Sequence, residues 1–282
     1  MFDQVSILAR NNQPSKLILN ESENVYRCWS NEGDFEQLLI AIKKLNINTI
    51  VIQFNFGFFD LPKFNLFVKK IYDYGINILI ILHSTNSPAN LPHKNLNIIV
   101  DSLHLCQRIL VHTPNDMNKL KKLGLVNNVT LFPHGILDNQ NLSRKRYYNL
   151  KETSKFLIAS NGFCLPNKGF DTLINSFNFL REQRLNVSLK LFTSIHESSL
   201  SIGYYNKLKN MIKESKYSKY ISINSKYLSD QEILLNLSKA DLVVYPYQFS
   251  NESSSASVRH GIASDSPVMV SPSPIFEDVR SY

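Results

Sequence analysis

The sequence lacks the glycine-rich phosphate loops of the commonest nucleotide-binding proteins. No Gly-x-Gly-x-x-Gly follows any candidate strand, and no Walker P-loop is present. Those loops hold a pyrophosphate or triphosphate on backbone N–H groups at the start of a helix. Their absence removes the main support for a dinucleotide-dependent dehydrogenase or a kinase.

Cysteines and long apolar runs are also scarce. Cys28, Cys106 and Cys164 are widely separated and lack metal-ligand spacing, which predicts reduced thiols rather than disulfides or a metal site. No stretch reaches the ~20 consecutive apolar residues that a bilayer span needs. The first residues lack the basic region and apolar run of a secretory signal. These features together predict a cytoplasmic protein.

The charge balance is basic, with 31 Lys and Arg against 23 Asp and Glu and a formal net charge of +8. Such an excess favours an acidic partner. No zinc finger, RNA-recognition signature or basic heptad array accompanies it, so nucleic acid is not predicted as a partner. Small clusters at 119–122 and 144–146 are typical of solvated faces, and their functional interpretation is peripheral contact with an anionic membrane surface.

Helix-like and strand-like segments alternate along the chain. Residues 48–54 (NTIVIQF) and 76–82 (INILIIL) are typical of buried parallel strands, and residues 34–45 carry an apolar helical stripe. The pattern at 96–107 predicts a further helix. Alternation of this kind predicts an α/β fold with parallel sheets and helices on both faces.

A polar, basic stretch without an apolar pattern interrupts this alternation, which then restarts near residue 155. We therefore expect two Rossmann-like domains with parallel sheets facing a cleft. Residues 1–140 form the N-terminal domain, 141–152 a linker, and 153–282 the C-terminal domain.

Residues that follow the predicted strands are the candidate ligand contacts, because doubly wound sheets bind ligands outside the carboxyl ends of their strands. A helix beginning near Ser254 would aim free N–H groups and its positive dipole end at a ligand, which suits a diphosphate. Lys168 opens another helix, and its ammonium can neutralise a phosphate. Ordinary helix capping and a solvated lysine are the structural alternatives.

Four segments of the sequence are informative both in their residues and in their order along the chain. Residues 82–85 read LHST, residues 132–136 read FPHGI, and residues 165–174 read LPNKGFDTLI. The fourth, from residue 240, reads ADLVVYPY, followed by Glu252 and by ASDSPV. These segments resemble those of glycosyltransferase family 4 in kind and in order. The resemblance runs from about residue 35 to the C-terminus.

The resemblance implies a GT-B fold and a retaining transfer of a sugar from a nucleotide-sugar donor, with no metal or other cofactor required. It places the acceptor side in residues 1–140 and the nucleotide-sugar side in residues 153–282. The expected acceptor is a glycan or a lipid-linked molecule, in cell-surface polysaccharide or glycoconjugate synthesis. Such an enzyme would be cytoplasmic or peripheral at the inner face of the membrane.

The resemblance also implies roles for individual residues. Glu252 would contact the donor sugar beside the anomeric centre, Lys168 would stabilise the leaving diphosphate, and His83 would approach the reacting centre. Donor binding is implied for a further set: Gly135, Asn161, Gly162, Ser255, Ala256, Ser257, Val258 and His260.

The chain departs from the family's pattern at two of these positions. His260 stands where the family has the second Glu of its Glu-x7-Glu motif, which binds the nucleotide ribose. Phe163 stands where an Arg is common, so one cationic phosphate contact is lost unless Arg259 or another base replaces it. The usual first strand with its glycine-rich loop and the usual C-terminal helices are not evident, which predicts a chain truncated at both ends.

Other functional hypotheses remain open. A non-catalytic GT-B module, a pseudoenzyme or fragment, would hold a nucleotide or a partner without transferring sugar. His260 and the expected truncation favour that alternative, whereas Glu252 and Lys168 together favour an enzyme. A sugar-nucleotide epimerase or a phosphorylase on a similar fold has no support in the sequence.

Overall fold

The structure, a computed structural model, describes residues 5–10, 24–30, 35–88, 91, 93–138 and 155–280. It divides into two compact units. Unit 1 comprises Met1–Pro133 together with Asn251–Ser253, and unit 2 comprises His134–Ser250 and Ser254–Tyr282. The predicted linker at 141–152 and the basic cluster at 144–146 lie outside the described residues.

Unit 1 is built on two sheets whose strands all pair in parallel. The smaller sheet consists of β1 (Ser6–Arg10) and β2 (Asn24–Trp29). The larger has the order β3 (Thr49–Phe54), β4 (Asn77–Leu82), β5 (Arg108–Val111) and β6 (Val129–Leu131). Its helices are α1 (Glu36–Lys44), α2 (Leu61–Asp73), α3 (Val100–His104) and α4 (Pro114–Lys122).

Local sequence explains where two of these helices begin. Asp60 precedes α2 and accepts a hydrogen bond from the N–H of Lys63, and Thr113 precedes α4 and does the same for Asp116. A proline follows within the first two positions of each helix, where its missing N–H is not needed. Both helices therefore start directly after loops that follow strands β3 and β5.

Unit 2 is built on one parallel sheet with the order β11-β10-β7-β8-β9. Its strands are β7 (Phe156–Phe163), β8 (Val187–Ser194), β9 (Ile221–Asn224), β10 (Leu242–Tyr245) and β11 (Val268–Val270). Its helices are α5 (Phe170–Glu182), α6 (Ser199–Glu214), α7 (Asp230–Leu237), α8 (Ala256–Ala263) and α9 (Glu277–Arg280).

The strand order of unit 2 indicates a candidate ligand crevice. The chain starts at the central strand β7, adds β8 and β9 on one side, and then returns to add β10 and β11 on the other. The order therefore reverses between β7 and β10. In an open α/β sheet the ligand crevice lies at such a reversal, outside the carboxyl ends of the two strands.

The predicted α/β class with parallel sheets is confirmed, with two local differences. Strands β1 and β2 were not expected, because SILAR and NVYRCW mix charged or polar residues with apolar ones and show no buried run. Residues 96–107 form a 3-10 turn (Leu96–Ile99) and the short helix α3 instead of one helix, because Ile99 leaves the helical region at φ −110°. No helix of the described residues is long and apolar enough to cross a membrane.

Candidate functional site

The first turn of α8 lies beyond the carboxyl end of β10, at the strand-order reversal of unit 2. Ser255 is its N-cap, and the Ser255 hydroxyl accepts a hydrogen bond from the N–H of Val258 at 3.4 Å. The Val258 side chain is fully buried. The first N–H groups of a helix have no partner within it and carry the positive end of its dipole. This helix start therefore offers donors to an anion, chiefly from residues 255–257.

The end of β7 approaches that helix start closely. Gly162 has φ 146°, and a Cβ there would lie 3.3 Å from the Ser257 hydroxyl oxygen and 3.8 Å from the Tyr247 hydroxyl oxygen. An alanine Cβ at this position would therefore require the Ser257 hydroxyl to move by a few tenths of an ångström, at a backbone φ that favours glycine. Asn161 and Gly162 lie inside β7, which continues to Phe163.

Lys168 stands beside the same helix start. It ends the 3-10 turn Pro166–Lys168 that precedes α5, and it is only 7% exposed. Its ammonium lies 4.1 Å from the centroid of the Tyr247 ring, a distance at which the ring face attracts a cation. The turn is followed by Gly169, which has φ 70° and packs closely on the chain at Pro246. A Cβ added at position 169 would lie 2.0 Å from the Pro246 carbonyl oxygen, so the position requires glycine.

Tyr247 connects these pieces, although the sequence assigned it no role. It is 2% exposed, and its hydroxyl oxygen accepts a hydrogen bond from Ser255 at 3.2 Å. Its carbonyl oxygen accepts one from Ser271 at 2.6 Å. The face of the Tyr247 ring therefore contacts the Lys168 ammonium, and its hydroxyl contacts Ser255, the N-cap of α8. The sequence signal was an aromatic residue two positions after the end of a buried strand.

His260 belongs to a second group of hydrogen bonds under α8. Its Nε2 lies 3.1 Å from the Asp230 carboxylate, and its Nδ1 lies 3.2 Å from the Asn161 side-chain nitrogen. The carboxylate requires a donor, so Nε2 carries the proton and Nδ1 accepts from Asn161. The Asn161 oxygen accepts from the Tyr245 hydroxyl at 2.5 Å, and that hydroxyl also lies 2.7 Å from the Ser257 carbonyl oxygen. His260 therefore contacts the base of the helix start through Asn161 and Tyr245.

Arg259 does not replace the cation missing at Phe163. Its guanidinium forms an ion pair with Asp278, and both side chains are buried. The Ser254 hydroxyl donates to the same carboxylate at 2.6 Å. Because the Arg259 charge is already matched, the arginine binds α8 to α9 instead of facing a ligand. The Phe163 side chain is exposed and packs edge-on against His196.

His83 follows β4 in unit 1 and forms a short chain of side chains with His112. Its Nε2 lies 2.7 Å from the Gln53 side-chain oxygen, and its Nδ1 lies 3.3 Å from His112 Nε2. His112 Nδ1 donates to the Phe132 carbonyl oxygen at 2.9 Å. Burial, and then the neighbouring His112, lower the pKa of His83 below its ordinary value of 6.5. The lowered pKa favours the neutral imidazole of His83, whose two ring nitrogens face Gln53 and His112.

The segment that carries Glu252 belongs to unit 1 and lies against the loop that carries His83. The N–H of Ser253 donates to the His83 carbonyl oxygen at 3.2 Å, and the Ser84 hydroxyl donates to the Asn251 carbonyl oxygen. The Glu252 side chain between them is exposed. Two of the three predicted catalytic residues thus come from neighbouring segments of one unit.

The remaining predicted residues fall in unit 2. The structure gathers Asn161, Gly162, Lys168, His260 and the helix start at 255–258 around the ends of β7 and β10. Gly135 lies in a segment without helix or strand, where it is exposed and an added Cβ would meet no atom within 4 Å. The described residues therefore show no steric need for glycine at that position.

The fold has clear relatives among solved structures, whereas no protein-family model and no curated protein matches the sequence. A UDP-forming α,α-trehalose-phosphate synthase from Burkholderia xenovorans, in complex with glucose-6-phosphate, is 13% identical with a TM-score of 0.63. The match covers 85% of this chain and 63% of that one. A sucrose-phosphate synthase from Thermosynechococcus elongatus is 13% identical with a TM-score of 0.68, covering 96% and 71%.

A third similar structure is Anabaena HepE in complex with UDP-glucose, 12% identical with a TM-score of 0.68, covering 90% of this chain and 69% of HepE. The fold is that of the GT-B glycosyltransferases. At 12–13% identity the likeness establishes the fold alone. The chain spans 63% of the length of the trehalose-phosphate synthase.

Proposed function

We propose that the protein is a glycosyltransferase whose unit 2 binds the diphosphate of a nucleotide-sugar donor. The observation that carries this proposal is the convergence of the α8 start, Gly162 and Lys168 at the strand-order reversal. A helix N-terminus with an adjacent ammonium and a close backbone approach suits a phosphate group. The UDP-forming synthase and the UDP-glucose complex among the structural relatives favour a UDP-sugar.

The chemistry follows from where charge develops. When the bond between the anomeric carbon and the diphosphate oxygen breaks, negative charge builds on the leaving nucleoside diphosphate. Lys168 and the positive end of α8 stabilise that charge, a form of catalysis that depends on donors fixed in advance. In this mechanism the protein supplies the cation, so no metal is required.

We assign Glu252 to the donor sugar and propose that transfer proceeds with retention at the anomeric carbon. The Glu252 carboxylate stabilises positive charge on the sugar as the leaving group departs. His83, whose neutral form is favoured by burial and by His112, approaches the donor sugar at the reacting centre.

The acceptor we propose is a glycan or a lipid-linked molecule, in polysaccharide or glycoconjugate synthesis. The net charge of +8 and the basic last turn of α4, which contains Lys119, Lys121 and Lys122, favour binding to an anionic membrane at its cytoplasmic face. Sedimentation with anionic and neutral vesicles tests this, because the attraction is screened beyond ~8–10 Å at ordinary salt. Recovery in the supernatant under every condition would contradict it.

A second candidate function is a nucleotide-binding module without transferase activity. The observation that favours it is that His260, at the position of the family's ribose-binding Glu, is engaged by Asp230 and Asn161. Both functions predict nucleotide binding, and only the transferase predicts turnover of the donor.

The test is a calorimetric titration with UDP, GDP and ADP, followed by turnover with the corresponding sugar nucleotides. We expect UDP to bind, and UDP-glucose to release UDP slowly even without acceptor. Binding without release under any condition would favour the non-catalytic module. Absence of binding to all three diphosphates would contradict both candidates.

A further inference from the structure

We propose that Asp116 is a positioning residue that holds Glu252 in place through Ser253. The inference rests on the proposed function, in which Glu252 acts on the donor sugar. It concerns unit 1 alone, where the segment Asn251–Ser253 lies.

Asp116 is a buried carboxylate that accepts hydrogen bonds from three hydroxyl groups. It lies in the first turn of α4 and is 2% exposed. One of its oxygens accepts from Thr85 at 2.5 Å and from Ser253 at 2.7 Å. The other accepts from Thr113 at 2.6 Å. A buried carboxylate is costly unless its lone pairs are satisfied, and here the satisfying donors come from three separate segments.

Capping of α4 does not account for this arrangement. The cap is the Thr113 hydroxyl, which accepts from the N–H of Asp116 at 3.2 Å, and it needs no carboxylate at position 116. Thr85 and Ser253 are 31 and 137 residues from Asp116 in sequence. Hydrogen bonds to a charged acceptor are shorter and stronger than neutral ones. The carboxylate therefore connects the loop after β4 and the Glu252 segment to α4.

The hydrogen bonds leave Glu252 between two anchored neighbours. Ser253 is held at two atoms, by its N–H on the His83 carbonyl oxygen and by its hydroxyl on Asp116. The Asn251 carbonyl oxygen accepts from the Ser84 hydroxyl and, at 3.3 Å, from the Asn86 side chain. The backbone at Glu252 is thus fixed on both sides, while its side chain is exposed.

Fixing that backbone is what a catalytic carboxylate needs. Misplacement of a reacting group by about 1 Å can cost a hundredfold in rate. Asp116 contacts the loops of both Glu252 and His83, through its hydrogen bonds with Ser253 and Thr85. Its effect on turnover is therefore expected to pass through Ser253, without a direct effect on nucleotide binding.

The experiment compares Ser253→Ala, Asp116→Ala and the double variant in the full chain. Ser253→Ala removes only the hydroxyl that donates to Asp116 and keeps the main chain intact, so it tests the proposal even if Asp116→Ala fails to fold. The matched control is Ser102→Ala, which removes another buried hydroxyl of unit 1, one that donates to the Asn65 carbonyl oxygen at 3.0 Å.

Three quantities are measured: the UDP dissociation constant, kcat for UDP release from UDP-glucose, and hydrogen exchange of the amides at 251–253. For Ser253→Ala we expect kcat to fall about ten- to a hundredfold, the UDP dissociation constant to stay within about twofold, and exchange at 251–253 to accelerate. The double variant should lose little more than the larger single variant, because both break one connection. Ser102→Ala should change none of the three.

The exchange measurement separates this inference from the proposed function. If the wild-type chain neither binds nor turns over a sugar nucleotide, the proposed function is wrong. Faster exchange at 251–253 in Ser253→Ala would still support the inference that Asp116 holds this segment through Ser253. Unchanged exchange in Ser253→Ala overturns the inference whatever the activity. Fully additive losses of kcat in the double variant also overturn it, because they show that Asp116 acts independently of Ser253.

Discussion

The Lys168 ammonium lies 4.1 Å from the centroid of the Tyr247 ring, and the hydroxyl of that ring accepts a hydrogen bond from Ser255, the N-cap of α8. One buried aromatic residue thus sets the positions of the proposed phosphate-binding ammonium and of the proposed phosphate-binding helix. The two ends of Tyr247 are separable by mutation, which gives the first prediction.

Tyr247→Leu removes the ring beneath Lys168, and Tyr247→Phe keeps the ring but removes the contact with Ser255. A cation–π contact at a partly desolvated site is worth about 1–2 kcal/mol. We therefore expect Tyr247→Leu to weaken UDP binding about five- to thirtyfold and Tyr247→Phe to weaken it by about threefold or less. Calorimetric titration of both variants measures the difference. Equal losses would show that the ring does not position Lys168.

Glu252→Gln keeps the shape of the side chain and removes its charge. If the carboxylate acts mainly in the transition state, kcat for UDP release should fall by a large factor while the UDP dissociation constant stays nearly constant. Steady-state kinetics alongside UDP titration gives both numbers. Transfer at the wild-type rate with Gln at position 252 would remove Glu252 from the catalytic assignment.

Gly169→Ala tests the close packing of the turn that carries Lys168. Its φ of 70° and the 2.0 Å separation between an added Cβ and the Pro246 carbonyl oxygen force the backbone to shift. We expect a loss of about 2–4 kcal/mol in the free energy of unfolding. The control is Gly203→Ala, in helix α6 with open space around it, where alanine should be neutral or stabilising by up to about 1 kcal/mol. Denaturant unfolding of both variants decides; similar effects would contradict the packing argument.

The lowered pKa of His83 predicts a pH dependence of stability. In the folded chain the imidazole resists protonation because it is half-buried and faces His112. The unfolded chain binds the proton more readily, near pH 6.5. The stability contribution is therefore fully present above about pH 6.5 and falls as the pH drops through 6.5 towards the folded-state pKa.

Thermal unfolding at about pH 7.5 and about pH 5 measures this effect. We expect the drop in Tm towards acid to be smaller in His83→Gln than in the wild-type protein. An identical drop in the two proteins would show that His83 does not contribute.

The fold class could be predicted from the sequence, because several strands are marked by runs of apolar and β-branched residues. Residues 48–54 and 76–82 are rich in apolar and β-branched residues, which is typical of buried parallel strands. Strand β4 is largely buried, whereas β3 is an edge strand whose alternate residues, such as Val51, are exposed. Strands β1 and β2 escaped prediction because a small two-stranded sheet imposes no such run on its residues. The start of α8 was predicted to within two residues, since the serines that cap it are visible in sequence.

The arrangement of the candidate site was less accessible from sequence. Asp116 lies in no motif and Tyr247 only ends the ADLVVYPY segment. The importance of each appears only from contacts with residues distant in sequence, Ser253 for the first and Lys168 for the second. The pairing of Arg259 with Asp278 was hidden for the same reason, because both lie on short helices whose packing no local pattern specifies. The inclusion of Asn251–Ser253 in unit 1 likewise depends on tertiary contacts alone.

The most direct test of the proposed function is UDP binding to the wild-type protein, Lys168→Ala and Lys190→Ala. Lys190 is an exposed lysine of β8 in the same unit, so its loss controls for net charge. A charge-assisted hydrogen bond is worth about 1.5–3 kcal/mol, and we expect Lys168→Ala to bind UDP about ten- to a hundredfold more weakly while Lys190→Ala binds like the wild type. Equal UDP affinity in all three proteins would contradict the assignment of this site to the donor diphosphate.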